Sequence, residues 1–437
     1  MGTVLWEHPL GDIGYANPMT WRGADGIGRY GGTDSLRATL PPLPGPAAMK
    51  LSWASIGIAV AILAVLATPF AILHFLWDHA PYRAERITLV DYTVPFEGAR
   101  EHVGAIWLLN HEKYPPPSGD AWQPLGSHVG YDPLDPQHPT RIADQDLSET
   151  DWLYVTDTYG VYEGDLTADR WQRSHLDYSR LVFGGITELD ARAIADYTNR
   201  GGHLFLEFNA LESPTAGRAR ATKQELLGAR WTGWTGRTFI NLYDPTDVPA
   251  WLPELFAKQF GDNAELPRNP TTVLVHEDGR LILLTDDNFR AASPSIAVTA
   301  RGREVIPLAR TGMGMFYWFP ILTADPGTEV LAELVLPATP GSDSALLANR
   351  IPRRLPFLTR RVEGGSHRVY LAGDLADVTF DAKWYSFKGI AAARRWQENN
   401  PARSTSESAY WGFYVPAVRQ LLREPFDGPP PALATGR

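Results

Sequence analysis

Between Leu51 and Trp77 the chain reads LSWASIGIAVAILAVLATPFAILHFLW, 27 residues without an Asp, Glu, Lys or Arg. About 20 apolar residues suffice for a helix to cross the hydrocarbon of a bilayer. The stretch therefore predicts a transmembrane helix over 51–77, and the rest of the chain must fold on one side or the other of it. Trp53 and Trp77 stand near its ends, where aromatic rings favour the headgroup layer, and Pro69 is placed to kink it.

Residues 1–50 form a Gly/Pro-rich N-terminal tail containing GADGIGRYGG and LPPLPGP, with no apolar period from which to build a core. Two readings of it stand. Order in such a tail has to come from partner subunits, which would contact the tail and the helix. Alternatively, translation starts at Met49, with Lys50 as a basic region before the anchor. Arg37 and Lys50 on one side balance Arg83 and Arg86 on the other, so basic residues leave the orientation tied. A short N-terminus, one anchor and a long C-terminal domain favour a periplasmic or otherwise extracytoplasmic domain.

Four acids and four bases cancel within residues 1–50, so the whole net charge of -10 falls after the helix. An acidic soluble region repels phosphate backbones, which argues against nucleic acid as a partner. The chain has no cysteine. Disulfides, thiolate zinc sites and cysteine nucleophiles are thereby excluded.

After the anchor the patterning predicts an α/β domain over 78–265. A strand over about 86–94 (ERITLVDYTVPF) is followed by helical spacing in GAREHVGAIWLLNHEKY (98–114). Residues 115–150 hold seven prolines and read as a long loop. DWLYVTD (151–157) is another buried strand. RLVFGG, the helix ELDARAIADYTNR with Thr187 as N-cap and Asp190 at N3, and HLFLEF read as a βαβ crossover with parallel strands. Leu189, Ala193 and Ile194, with Ala195 or Tyr197, are expected on its inner side, and Gly201-Gly202 stops it. Together these predict a doubly wound parallel sheet. A further helix is expected in DVPAWLPELFAKQFG. From 266 to 425 strands dominate, with EDGR as a hairpin turn and two terminal helices near 388–398 and 408–423, before a flexible tail at 426–437.

The alternation of LVFGG, helix and GGHLFLEFN resembles class I glutamine amidotransferase-like domains, which have a flavodoxin-like α/β fold. In that family a cysteine sits on a sharp turn after a central strand and is served by a His-x-Glu pair. Here HLFLEF runs on into Asn209, Ala210 and Leu211, and His276 in VHED has Glu277 and Asp278 beside it but no nucleophile to serve. The resemblance implies the fold without the glutaminase activity. TDTYGVY, EFNALESPT and WTGWTGR together also resemble membrane-anchored bacterial proteins, which implies an envelope location.

In open α/β sheets ligands gather at the carboxyl ends of the strands. The residues expected there are Asp157 and Tyr159, Gly184 and Gly185, and Glu207, Asn209 and Ser213. Glu207 with Asp157 or Asp374 would be the carboxylate pair of a glycosidase, with a glycan as ligand. The alternative is that these acids cap helices and turns. Trp231, Trp234 and Arg237 in WTGWTGR serve either as a stacking platform for a sugar or as wedges closing the core. Gly233 and Gly236 make a helix costly there, so the stretch is expected to be a tight turn or a bulge. No metal, cofactor or phosphate-loop pattern is present. The expectation is a membrane-anchored scaffold or accessory subunit of an envelope assembly, with no catalytic residues. A glycan-active hydrolase or solute-binding module is the alternative.

Overall fold

A computed structural model of the chain describes residues 53–167, 179–245, 247–339, 341–378, 382–398 and 406–427. The N-terminal tail at 1–50 lies outside them, as do residues 428–437 of the C-terminal tail.

The strands are β1 (Ile87–Asp91), β2 (Val129–Gly130), β3 (Trp152–Asp157), β4 (Val161–Tyr162), β5 (Leu181–Phe183), β6 (His203–Glu207), β7 (Ala229–Phe239), β8 (Thr271–His276), β9 (Leu281–Thr285), β10 (Ser295–Val298), β11 (Met313–Gly314), β12 (Phe319–Ala324), β13 (Glu329–Val335), β14 (Arg354–Glu363) and β15 (Ser366–Leu371). Nine of them form one mixed sheet in the order β11-β10-β13-β14-β15-β6-β3-β1-β2. From β2 to β15 the neighbours are parallel, and from β15 to β11 antiparallel. The α/β part and the β-rich part thus share a sheet, joined where β15 lies beside β6. Every residue of β3 is buried, as a strand covered on both faces requires. A second, antiparallel sheet runs β12-β7-β8-β9, and β4 pairs with β5 alone.

RLVFGG departs from the expected crossover. Leu181–Phe183 pairs antiparallel with Val161–Tyr162 and is not a strand of the main sheet. Val182 is exposed, Phe183 enters the main core, and Leu181 is half-buried against a second apolar cluster. The helix Glu188–Asn199 therefore lies on the path from β3 to β6, which are the parallel pair. A short apolar run cannot reveal by itself which neighbour it will find. The cap stands as expected: Thr187 accepts from the Asp190 N–H, and Asp190 accepts from the Thr187 N–H at 3.0 Å. The inner face holds Ile194 and Tyr197 as expected, with Ala193 and Ala195 packed against the core, and Leu189 alone departs from it. Asp190, Ala191, Ile194 and Tyr197 are buried, whereas Leu189 is 64% exposed.

Residues 98–114 narrow to a helix over Val103–His111, and the helix at Trp251–Phe260 and the EDGR hairpin between β8 and β9 are present. The terminal helices run over Ile390–Gln397 and, continuous with the segment from Ser406, to Asp427, so Phe426 and Asp427 belong to a helix and not to the tail.

One helix, Trp53–Asp78, is continuous across Pro69. Within it, Ile56–Asp78 contains an 18-residue window of mean hydropathy 2.6 and is long and apolar enough to span a membrane. Its far end is built into the domain. Trp77 Nε1 donates to the His111 carbonyl at 2.9 Å, and Lys113 Nζ donates to the carbonyls of Asp78 and Ala80 at 2.7 and 2.8 Å. Those are carbonyls that a helix terminus leaves without partners, and a cation there also meets the negative end of the helix dipole.

Candidate functional site

The carboxyl ends of the parallel strands carry the polar residues that the fold makes available. The β1–β3 register sets Asp91 beside Asp157. Asp91 accepts from the Thr93 N–H at 2.7 Å and from the Thr156 hydroxyl at 3.0 Å, and His102 Nδ1 lies 2.7 Å from its Oδ2. The other ring nitrogen of His102 lies 2.8 Å from the Pro124 carbonyl. Both nitrogens thus face acceptors within the protein. Asp157 accepts from the Tyr159 N–H at 2.7 Å. Burial first, and then Asp91, pushes its carboxyl well above the usual range. Glu101 is raised by burial and then by Asp377 and Asp91. Asp377 is raised by burial, against the pull of the Arg100 guanidinium 3.4 Å away.

The loops around this cluster are stitched together. Thr158 accepts from the Gly185 N–H at 2.8 Å and donates from its hydroxyl to the Asn209 carbonyl at 3.0 Å. Arg141, from the proline-rich stretch, donates to the carbonyls of Gly185 and Gly184 at 3.0 and 3.3 Å and to Asp190 at 3.0 Å. The glycines serve close approach: a Cβ on Gly184 (φ +149°) would lie 2.5 Å from Gly160 Cα.

Glu207 belongs to a separate network. Its Oε1 accepts from Tyr154 and, at 2.9 Å, from Tyr414, and the two phenolic oxygens are 2.6 Å apart. Burial, with a smaller push from Asp91, raises the Glu207 carboxyl to about 8. Ser213 takes a bond from Arg220 at 3.4 Å. Asp374 is buried, and its N–H donates to the Trp318 carbonyl at 3.3 Å.

WTGWTGR is neither a helix nor a turn but part of β7, and Gly233 (φ +88°) sits where the β7–β12 register shifts. This bulge lets two indoles three residues apart both join the main core. Trp231 Nε1 donates to the Trp234 carbonyl at 2.8 Å, and the Arg220 guanidinium lies 4.7 Å over the Trp231 ring. Arg237 pairs with Asp247 and stacks on Phe239 at 4.6 Å. His276, on β8, lies 2.8 Å from Asp278 and packs against Trp234. All ten residues expected to bind a ligand are buried, from Glu207 at 1% to Trp231 at 9% exposure. Among the described residues no group of three or more potential ligands could hold a metal ion.

No family model matches the chain, and no curated protein does. Solved structures similar to it include the cold-adapted β-galactosidase from Rahnella sp. R3 at 13% identity (TM-score 0.25), over 58% of this chain and 24% of that one. The exo-β-1,4-mannosidase Op5Man5 from Opitutaceae bacterium strain TAV5 is similar at 13% identity (TM-score 0.25), over 63% and 27%. A ThuA-like protein from Bacteroides uniformis ATCC 8492 is similar at 12% identity (TM-score 0.33), over 74% and 98%. The chain spans about a quarter of the length of the two glycosidases.

Two features of the strand ends were missed in the sequence. Asp91, Glu101, His102 and Asp377 gather around Asp157, and the available signal was that ITLVD and WLYVTD both end in aspartate. The second is Phe208, directly after β6, at φ +36°. A bulky residue at positive φ is held there only by its surroundings, and Tyr370 donates to its carbonyl at 2.6 Å.

Proposed function

We propose that the protein is a membrane-anchored, non-catalytic scaffold or accessory subunit of a cell-envelope assembly, with its large domain extracytoplasmic. In this reading the helices flanking the parallel half cover both faces of the sheet, the doubly wound arrangement of amidotransferase-like domains. The observation that carries the proposal is Phe208. The sharp turn after a central strand, where the resembled family places its nucleophile, is filled by a side chain with no nucleophilic atom. The spent state of its neighbours supports the same reading. His102 has both nitrogens on acceptors, Glu207 is engaged by two tyrosines, and Arg141 occupies the glycine carbonyls. Catalytic groups need a free face toward substrate, which these lack.

The anchor and the tail are where partner subunits would bind. The test is native electrophoresis and crosslinking of the full chain extracted from its own membranes in mild detergent. A species of fixed stoichiometry larger than the monomer is expected. Recovery of the monomer alone, or glycan turnover by the purified chain that is lost in Glu207→Gln, would overturn the proposal.

A further inference from the structure

A cavity of about 490 Å³ opens where the apolar helix meets the domain. Leu76 and Trp77 of the helix form one wall, and the rest includes Arg83, Lys113, Lys388, Arg419 and Arg423. Two carboxylates, Glu85 and Glu112, share that lining, so five cations face two acids in a chain whose net charge is -10. Glu112 is divided between two guanidiniums, with Arg419 at 2.6 Å and Arg423 on its other oxygen. Lys113 spends its ammonium on uncharged partners, the Asp78 and Ala80 carbonyls and the Trp77 ring at 4.6 Å. Lys388 is exposed, and its backbone N–H donates to the Leu73 carbonyl at 3.1 Å, which holds it against the helix. Arg83 lies 3.5 Å from Glu85 and is paired with Asp427, just outside the lining, at 3.0 Å; with that acid counted, five cations face three acids and a positive excess remains.

Its position gives that charge a meaning. The cavity lies at the level of the last turn of the apolar helix, where a membrane-spanning segment leaves the hydrocarbon and enters the headgroup layer. The segment that carries Lys388 exposes Trp384 and Trp396, at 57% and 78%, and Phe387 of this segment packs edge-on against Phe70 of the helix at 6.4 Å. Exposed indoles interleaved with cations are what a headgroup layer accommodates. We infer that this cavity binds the phosphate of an anionic phospholipid, with the glycerol end reaching in from the bilayer beside Leu76. Free phosphate offers the same chemistry without the acyl chains. The inference rests on the reading of the Trp53–Asp78 helix as membrane-spanning.

The test uses the full chain reconstituted in phosphatidylcholine vesicles carrying spin-labelled phosphatidylglycerol or spin-labelled phosphatidylcholine. Electron paramagnetic resonance reads the fraction of label immobilised by the protein, and resistance to carbonate extraction reads anchoring independently. A cation near the surface is worth about a fivefold preference for an anionic lipid, so immobilisation should favour phosphatidylglycerol by at least roughly that factor. Lys388→Gln, at an exposed site, should lower the preference severalfold with its circular dichroism unchanged, and Arg423→Gln should do the same. An anchored protein without lipid preference, or one whose preference survives both substitutions, overturns the site and leaves the anchor standing. Extraction by carbonate overturns the anchor and the site with it. Displacement of the labelled lipid by millimolar inorganic phosphate assigns the cavity to a soluble anion and overturns the lipid.

Discussion

Glu207 offers the sharpest test of the interior. Its carboxyl is raised from 4.5 to about 8, with burial the largest cause. A group that holds its proton more tightly when folded stabilises the fold relative to its ionised form at low pH. That advantage is fully present below the unfolded value and is lost as pH rises from about 4.5 through about 8. In between, the native state binds a proton that the unfolded state does not, so stability falls by about 1.4 kcal/mol per pH unit, or about 4 kcal/mol between pH 5 and pH 8. Glu207→Gln removes the titration and keeps the shape. One amide oxygen can accept from both Tyr154 and Tyr414, as Oε1 does now. The assay is urea denaturation of the full chain in detergent, followed by tryptophan fluorescence at several pH values. Other buried acids, such as Asp157 and Glu212, are common to both proteins and cancel in the difference. At pH 5 the two proteins should agree within about 1 kcal/mol, and by pH 8 the variant should lead by about 3–5 kcal/mol. Parallel profiles would refute the reasoning, because they would mean that Glu207 ionises as an ordinary carboxyl does.

Other substitutions follow from the same packing. Trp234→Ala should cost about 3–5 kcal/mol by emptying a buried site, seen as a large fall in melting temperature; an unchanged Tm with loss of sugar binding would make the ring a ligand platform. Gly184→Ala should destabilise by at least about 1–3 kcal/mol, since the new Cβ meets the backbone of Gly160 and Tyr159; a variant as stable as the parent in urea would show that the two loops can part. Lys113→Ala should loosen the end of the apolar helix, with faster amide exchange over Asp78–Ala80 and an unchanged main sheet; uniform protection in both proteins would deny the lysine that role.

Local chemistry was legible in the sequence. The apolar run, the Thr187–Asp190 cap, the glycine stop after Asn199 and the EDGR hairpin each depend on residues a few positions apart, and each stands in the structure. What could not be read there were distant partnerships. RLVFGG has the composition of a buried strand, yet it pairs with Val161–Tyr162 because Gly160 and Gly184 let two backbones touch. The indoles of WTGWTGR would point to opposite faces of a regular strand, and only the bulge opposite β12 brings both inward.

The sequence by itself determined that this chain carries an apolar helix of bilayer length, that no thiol chemistry is open to it, and how the helix at Glu188–Asn199 is capped and stopped, because those properties are set by composition and by neighbours along the chain. Tertiary structure alone decided that Asp91 stands beside Asp157, that Tyr414 reaches back to Glu207, and that Arg419 and Arg423 converge under Trp77. Such pairs lie far apart along the chain. Their proximity comes from the register of the whole sheet and the closure of the last helix over it, and no local pattern encodes that.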